Sequence, residues 1–258
     1  MESTIVTEID VDYPESGDLG LVIGVGACRL ILSPGSQDKL VTGAYDAPSN
    51  LLAPTIAKSG GTVKISQERG PSAFLGLLSG VPKLSLALGK AKPFTLNLKV
   101  GACEINSDLG GLPVSRFLIE LGAGKVDFDF SEPNPQDMSL LEVRAGAVSL
   151  LMRNLANANF TEMSVDGGAA SFELDFGGTL RRDAHVRLST GASAVKIRIP
   201  AATAAKIAAE PVMGSIDVGN GFTKKEGSWW NEAAMAGAKP VLTIHATISL
   251  GALQLQTQ

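Results

Sequence analysis

The sequence predicts an all-β protein: a right-handed single-stranded parallel β-helix (β-solenoid) with coils of roughly 21–24 residues. Within residues 94–222 one pattern returns, an alternating apolar run, a glycine followed by a small residue, and a second alternating run. A regular period of this kind built from strands is typical of stacked coils. The glycines that mark the period are Gly101, Gly122, Gly146, Gly168, Gly191 and Gly214.

The composition fits narrow coils with an aliphatic core. Of the 258 residues, 45% are hydrophobic, but only 5% are aromatic and 29 are glycine. Narrow coils joined by tight turns give this profile because they leave little room for large rings. The net charge of −4 is mild, and no basic stripe with interleaved aromatic residues occurs. We therefore expect no nucleic-acid partner.

The first residues show no targeting segment. They lack the basic and apolar regions of a signal peptide, and no apolar run approaches the roughly 18 residues of a membrane-spanning helix. The sequence therefore predicts either a cytoplasmic protein or a chain that begins after a removed signal or anchor.

Residues 1–93 form the predicted N-terminal β region. Residues 1–20 are polar and turn-rich, and residues 21–32 repeat the coil pattern around Gly26. Short alternating runs at 39–45, 55–58 and 62–66 predict additional antiparallel strands, whereas residues 74–78 fit either one helical turn or a buried loop. We place a soft boundary after residue 93, with residues 94–258 forming the solenoid and both parts sharing one core.

Side chains two residues apart lie on the same face of a strand, and this rule predicts the core. Before the glycines, the inward positions are Leu96, Leu98 and Val100, then Phe117, Ile119 and Leu121, then Leu141, Val143 and Ala145, then Met163, Val165 and Gly167, then Val186, Leu188 and Thr190. After the glycines, they are Val126, Phe128, Leu150, Met152, Phe172, Leu174, Val195 and Ile197.

Charged side chains at the outward positions alternate in sign along the predicted stack. The first series is Lys99, Glu120, Arg144 and Asp166, and the second is Asp108, Asp129, Arg153, Asp175 and Arg198, with Glu173 facing Lys196. Opposite charges on neighbouring coils attract and help to fix the register. Asp108 beside Asp129 breaks the alternation. Together with Asp127, these residues are the only candidate acidic cluster for a cation.

The spacing of the repeat changes after Gly214. The next matching pair, Gly251 and Ala252, lies much more than one period further along the chain. We expect residues 243–255 to form a last coil and the intervening residues to cap the open core. Both tryptophans, Trp229 and Trp230, lie in this segment. They are predicted to pack in the cap or a loop, the alternative being an exposed platform that stacks on sugars, and they mark a candidate interaction surface.

The only two cysteines, Cys28 and Cys103, both lie in Gly-Ala-Cys tripeptides. If each tripeptide occupies the same coil position, the thiols are three coils apart, about 14 Å at ~4.8 Å per coil. A disulfide needs Cα atoms within roughly 7 Å. We therefore expect two buried, reduced thiols.

Several short stretches resemble a known group of bacterial domains. Residues 21–27 with 30–32, 42–44 and 61–65 resemble the N-terminal toast-rack domain. Residues 186–200 resemble the repeat of the putative-adhesin and cell-wall-active antibiotic response (LiaF-type) domains. The likeness continues through residues 213–217, 227–230 and 248–255.

The resemblance implies a β-solenoid without catalytic residues, and often a position outside the cytoplasmic membrane beside a membrane segment. This slightly favours the cell envelope as location and implies membrane association only through a segment that this sequence lacks. A partner in this setting is another protein or a cell-envelope component.

The residues themselves show no catalytic motif. His185 and His245 have no ligand spacing, and the nucleophile elbow Gly-x-Ser-x-Gly is absent from the sequence. We expect no catalytic residue, cofactor or metal. Two functions stay open: a non-catalytic structural or protein-interaction domain, or a carbohydrate-binding or Ca²⁺-dependent polysaccharide-acting β-helix that uses Asp108, Asp127 and Asp129.

Overall fold

Strands make up nearly all of the secondary structure in the computed structural model, which describes residues 4–49, 51–67 and 80–258. They are β1 (Thr4–Val11), β2 (Gly20–Pro34), β3 (Val41–Pro48), β4 (Thr55–Ser59), β5 (Thr62–Ser66), β6 (Lys83–Leu88), β7 (Phe94–Asp108), β8 (Val114–Asp129), β9 (Met138–Arg153), β10 (Phe160–Gly167), β11 (Ala170–Asp175), β12 (Ala184–Ile199), β13 (Ala204–Val218), β14 (Phe222–Lys225), β15 (Ser228–Asn231) and β16 (Val241–Thr257). A 3-10 turn, Leu155–Ala158, and a one-turn helix, Glu232–Met235, are also present. The all-β prediction is confirmed.

The repeat forms a stack of long parallel strands in the order β2-β7-β8-β9-β10-β12. Each of β7, β8 and β9 spans both apolar runs of one repeat, while β10 and β11 divide the next repeat between them. Val100 is paired with Leu121, and Leu121 with Ala145. The series continues from Ala145 to Gly167 and from Gly167 to Thr190. All five residues directly precede a glycine that marks the period, and we call these five glycines the corner glycines. The strands therefore pair in the register that the repeat predicts.

The predicted core positions face inward. Leu96, Phe117, Leu141, Met163 and Val186 are successive Cα partners across five strands, and all are buried. The two halves of a strand also face each other across the core. In β8 the rings of Phe117 and Phe128 pack edge to face, with their centroids 5.5 Å apart. The ladder of aliphatic and aromatic side chains is the main source of stability, since apolar burial contributes roughly 25 cal/mol per Å².

The glycine between the two runs marks a break in the alternation. In β7, Val100 and Cys103 are buried, while the two residues between them, Gly101 and Ala102, face outward. Two consecutive outward residues turn the strand, as a bulge does. The corners also stack closely: a Cβ added to Gly122 would lie 2.6 Å from the carbonyl oxygen of Gly101. Glycine is therefore needed because the neighbouring backbone occupies the space of a side chain.

The N-terminal region adds antiparallel strands to the stack. On the side of β2 opposite β7, β5 pairs with residues 20–24 and β6 pairs with residues 29–34. β3 is antiparallel to β6, β1 to β3, and β4 to β5. The strands predicted around residues 39–45, 55–58 and 62–66 are observed, and the prediction for residues 74–78 lies outside the described residues. The turn-rich interpretation of residues 1–20 is wrong for β1.

The last predicted coil is not at the end of the stack. β16 lies between β12 and β13 and is parallel to both. Gly251 is paired with Gly214 on one side and with Ser193 on the other. Gly214 and Gly251 thus lie two residues beyond the corner position of Gly191, so neither is a corner glycine. The prediction of a terminal coil over residues 243–255 is wrong, because β13 and the strands paired beyond it form that end of the sheet.

The predicted separation of the cysteines is also wrong. Cys28 and Cys103 are Cα partners on the adjacent strands β2 and β7, and their Sγ atoms lie 3.2 Å apart. They are neighbours because β5 and β6 pair with the opposite edge of β2, so that β7 lies directly beside β2. Both cysteines are free and buried, as predicted.

Candidate interaction surface

A β-hairpin carries the two tryptophans at the C-terminal end of the sheet. β14 and β15 are antiparallel and joined by Glu226 and Gly227, which have φ values of 50° and 80°. Two residues with positive φ form the type I′ turn that two-residue hairpins favour. On its other side, β15 pairs with β13 through Trp230 opposite Lys206 and Trp229 opposite Ile207.

Asn231 fastens this hairpin to the stack. The residue is 1% exposed, and its Nδ2 donates to the carbonyl oxygen of Thr203 at 2.7 Å. Its Oδ1 accepts from the backbone N–H groups of Ala205 and Ala234, each at 3.0 Å. The contact with Ala234 caps the helix Glu232–Met235. One buried amide therefore ties the hairpin, the short helix and the start of β13 together.

The tryptophans are neither fully buried nor fully exposed. Trp229 is half-buried against the main core, and Trp230 is half-buried against a small cluster of Ala204, Ala234 and Val241. They thus pack at the end of the sheet, as a cap residue would, and keep part of each indole at the surface. The structure does not test whether they bind a ligand, so the interaction surface stays a prediction.

Three lysines accompany the indoles. The Nζ atoms of Lys206 and Lys225 lie 3.9 and 4.6 Å from the centroid of the Trp230 ring, and Nζ of Lys224 lies 5.5 Å from that of Trp229. These distances are in the range of cation–π contacts. Trp229 and Lys224 lie on the opposite face of the hairpin from Trp230, since neighbouring residues of a strand point to opposite sides. We call Trp230, Lys206 and Lys225 the tryptophan–lysine patch.

A small pocket opens beside Trp230. Its volume is about 130 Å³, and its polar lining includes Lys206, Glu226, Ser228, Thr243 and His245. Arg187 is the Cα partner of His245 on the next strand. The surroundings are therefore more basic than the chain as a whole, whose net charge is −4.

The acidic residues predicted as a cation site already have partners. Asp108 and Asp129 are Cα partners on β7 and β8. Asp108 accepts hydrogen bonds from the Ser131 hydroxyl at 2.6 Å and from the Gly110 N–H at 2.8 Å. Burial alone would raise the pKa of Asp108, but these hydrogen bonds outweigh burial and lower it.

Arg153 forms ion pairs with the other two carboxylates, those of Asp127 and Asp129. Its guanidinium lies 2.9 Å from Asp127 and 3.4 Å from Asp129, and the Asn154 side chain donates to Asp129 at 2.7 Å. Within residues 4–49, 51–67 and 80–258, no group of three or more His, Cys, Asp or Glu residues is arranged to hold a metal ion. The structure therefore brings the carboxylates near one another and gives each of them a donor, while Asp127 Oδ1 is buried without a hydrogen-bond partner among the residues that the structure describes.

The charge ladders have the predicted register but only part of the predicted pairing. Lys99 and Glu120 form an ion pair of 3.2 Å across β7 and β8. Arg144, however, pairs with Glu142 of its own strand at 2.6 Å and not with Asp166. Glu173 likewise pairs with Arg198 and not with Lys196, its Cα partner. Long side chains reach partners outside their own row, so register alone does not determine ion pairs.

A groove along the glycine corners is a feature that sequence reasoning missed. Its volume is about 860 Å³, and it runs across the strands past Gly101, Gly122 and Gly146. The signal for it is present in the sequence, because each of these glycines is followed by a second small, outward residue. The charged residues that line the groove are Lys99, Glu120, Arg144 and Asp166. Because their signs alternate, the groove offers no net charge that selects one class of ligand.

No helix in the described ranges is long and apolar enough to span a membrane. Among solved structures, a putative cell adhesion protein from Clostridium sporogenes is similar over 100% of both chains, with 19% identity and a TM-score of 0.53. A putative adhesin from Bacteroides fragilis is 13% identical over 99% of this chain and 98% of its own, with a TM-score of 0.43. Comparison with curated proteins gives no match.

The family comparison covers more than half of the sequence. Residues 1–147 match the model for the N-terminal domain of toast_rack, DUF2154. This range continues past residue 93 and includes most of β9. The toast-rack resemblance is confirmed, and the chain belongs to this family.

Proposed function

We propose that the protein is a non-catalytic interaction domain that binds an acidic cell-envelope polysaccharide through the tryptophan–lysine patch. The observation that carries this proposal is the indole of Trp230, with two lysine ammonium groups 3.9 and 4.6 Å from its centroid. The cell-adhesion name of the Clostridium sporogenes protein, which has a similar fold, supports a role in interaction and gives no support for an enzyme.

The chemistry of the patch matches a sugar acid. A half-exposed indole offers an apolar face on which the C–H face of a sugar ring packs, and its polar edge stays in water. Ammonium groups beside that face attract a carboxylate on the same ring. The ammonium groups lie over the indole on flexible stems, and this flexibility lets them reach an anion on the sugar ring. The polymer repeats the same acidic ring, so several weak contacts add up.

The scaffold keeps the patch in place. Asn231 and the pairing of β15 with β13 hold the hairpin against the stack.

We infer that the stack follows a right-handed single-stranded β-helix with coils of roughly 21–24 residues, which is supported by parallel pairing between equivalent positions of successive repeats. We also propose that the regions 1–93 and 94–258 share one core, since β2 and β7 pair along their length.

Tryptophan fluorescence provides the test, because Trp230 of the patch is one of only two tryptophans in the chain. Titration with polygalacturonate should change the emission with a saturable dependence, and 1 M NaCl should weaken the binding. Titration with neutral dextran should leave the emission unchanged. No response to millimolar galacturonate units would contradict the proposal.

Matched variants locate the site. Lys206→Gln and Lys225→Gln should each weaken the binding about 5- to 10-fold, the loss expected for one desolvated cationic contact. Lys125→Gln, an exposed lysine on β8, should bind like the wild type. Repeating the titration with Ca²⁺ and with EDTA distinguishes this proposal from the alternative, a Ca²⁺-dependent polysaccharide site. Binding that requires Ca²⁺ and survives both patch variants would favour Asp108, Asp127 and Asp129 instead.

A further inference from the structure

We infer that Cys28 and Cys103 form a dithiol site that hydrogen peroxide oxidises to a disulfide between β2 and β7. The two residues are Cα partners on neighbouring parallel strands, and their Sγ atoms lie 3.2 Å apart. Strands that pair in a sheet are ~4.8 Å apart, which falls within the Cα separation of roughly 4.4–6.8 Å that disulfides need. Bond formation therefore requires a movement of the sulfur atoms and little movement of the backbone.

The surroundings of Cys103 favour its thiolate. The two thiols share a hydrogen bond in which either sulfur can be the donor, and the backbone N–H of Cys28 donates to Cys103 Sγ at 3.1 Å. Cys103 Sγ also lies 3.8 Å from the Gly26 carbonyl oxygen, to which it can donate. The hydrogen bond with the Cys28 thiol lowers the pKa of Cys103, burial opposes this effect, and the N–H contact adds to it. The same thiol contact, together with burial, raises the pKa of Cys28. The pair thus has one sulfur suited to attack and one that stays protonated.

The reaction balances in two steps. The Cys103 thiolate attacks one peroxide oxygen, the O–O bond breaks, and the leaving hydroxide takes up a proton to become water. Cys103 is then a sulfenic acid. The Cys28 sulfur attacks the Cys103 sulfur, the S–O bond breaks, and the hydroxide leaves as water with the proton of Cys28. The two sulfurs lose two electrons in total, and one peroxide becomes two water molecules.

The burial of Cys28 and Cys103 restricts which oxidants can reach them. Cys28 is 1% exposed and Cys103 is 4% exposed. A small neutral peroxide reaches such a site through local opening, whereas a bulky disulfide reagent does not. The product closes a loop between residues that are 75 positions apart. A crosslink of this length restricts the unfolded chain strongly, so the oxidised protein should melt at a higher temperature.

The test uses the folded, reduced wild-type chain treated with hydrogen peroxide. After denaturation in iodoacetamide, both thiols should be blocked from alkylation, and non-reducing peptide mapping should find Cys28 joined to Cys103 in one chain. The melting temperature should rise by about 5 °C or more, and dithiothreitol should reverse both changes. Two alkylatable thiols, crosslinks only between chains, or sulfinic acid as the main product would each overturn the inference.

Single variants check the division of roles. In Cys28→Ser, Cys103 should stop at a sulfenic acid that dimedone traps, and peroxide should not raise the melting temperature. In Cys103→Ser, the remaining Cys28 should react at least about 10-fold more slowly, because its thiol stays protonated. Equal reactivity of the two variants would overturn the assignment of Cys103 as the attacking sulfur. Thiol counting on the wild type decides about the disulfide even if a variant fails to fold.

Discussion

Single glycines set how closely neighbouring strands approach at the corner. Gly122 has a neighbouring carbonyl oxygen 2.6 Å from the position of an added Cβ, whereas an added Cβ at Gly26 would meet no atom within 4 Å. We expect Gly122→Ala to lower the free energy of unfolding by about 2 kcal/mol, because the backbone must shift to make room. Gly26→Ala should change it by less than about 0.5 kcal/mol.

Urea unfolding followed by circular dichroism measures both variants. The comparison is matched, since the same methyl group is added at the same corner position of two strands. Equal stability of the two variants would show that the corner tolerates side chains and that the close carbonyl contact does not select glycine.

Asp108 makes stability depend on pH. Its pKa lies below the ordinary value of 3.8 in the folded protein. The carboxylate therefore adds stability that is present above pH ~4 and is lost as the pH falls through the folded pKa. We expect Asp108→Asn to be less stable than the wild type by about 1 kcal/mol at pH 7, and we expect this difference to shrink as the pH falls through the folded pKa.

Urea midpoints at pH 7, 4 and 2 follow this difference, with the exposed Asp38→Asn as control. The control should match the wild type throughout. A gap between Asp108→Asn and the wild type that stays constant down to pH 2 would mean that the amide disturbs packing and that charge plays no part.

At the level of strands, Arg153 of β9 ties β9 to β8 by pairing with Asp127 and Asp129. Arg153→Glu replaces two attractions by two repulsions between neighbouring strands. The side chain is 39% exposed, so water reduces the effect, and we expect a loss of about 1–2 kcal/mol in low salt. Thermal melts in 20 mM and 500 mM NaCl should show that salt recovers part of the loss.

Arg153→Gln provides the comparison for this variant. It removes the attraction without adding a negative charge, so its melting temperature should lie between those of the wild type and Arg153→Glu and should depend less on salt. A salt-independent loss in Arg153→Glu would indicate that lost packing of the long side chain, and not charge, is responsible.

The strands of the repeat could be predicted because each one repeats the same local pattern. Inward positions such as Leu98, Ile119 and Val143 alternate with polar residues, and this alternation is a property of the strand itself. β1 could not be predicted because most of it does not show this alternation. It is an outer strand whose Ile5 and Val6 are 52% and 62% exposed, so only its second half, with Ile9 and Val11 buried, shows the alternation of a half-buried strand.

The candidate site was predictable in part. The paired tryptophans and the Glu226-Gly227 turn are local signals that the sequence displays directly. The lysine nearest to Trp230 is Lys206, which lies much earlier in the chain on another strand. Only the antiparallel pairing of β15 with β13 brings the two together, and no spacing in the sequence encodes that pairing.

In the whole molecule, strand order departs from chain order at β16. Each repeat has the same alternating pattern, so the pattern does not say which strands are neighbours. β16 pairs with β12 on one side and with β13 on the other, in each case along nearly its whole length. The same ambiguity explains the error for the cysteines, since nothing in the alternation of β7 says that it lies directly beside β2.

The position of β16 also determines when the molecule can be completed during synthesis. β12 and β13 leave the ribosome before β16, and each then presents an edge that residues 241–257 fill in the finished sheet. Pairing β12 directly with β13 would follow chain order and would have to be undone later. The earlier strands of the stack can pair as they emerge, but the sheet is complete only once residues 241–257 are available. We therefore expect residues 241–257 to be the last strand added, between two strands that are already made.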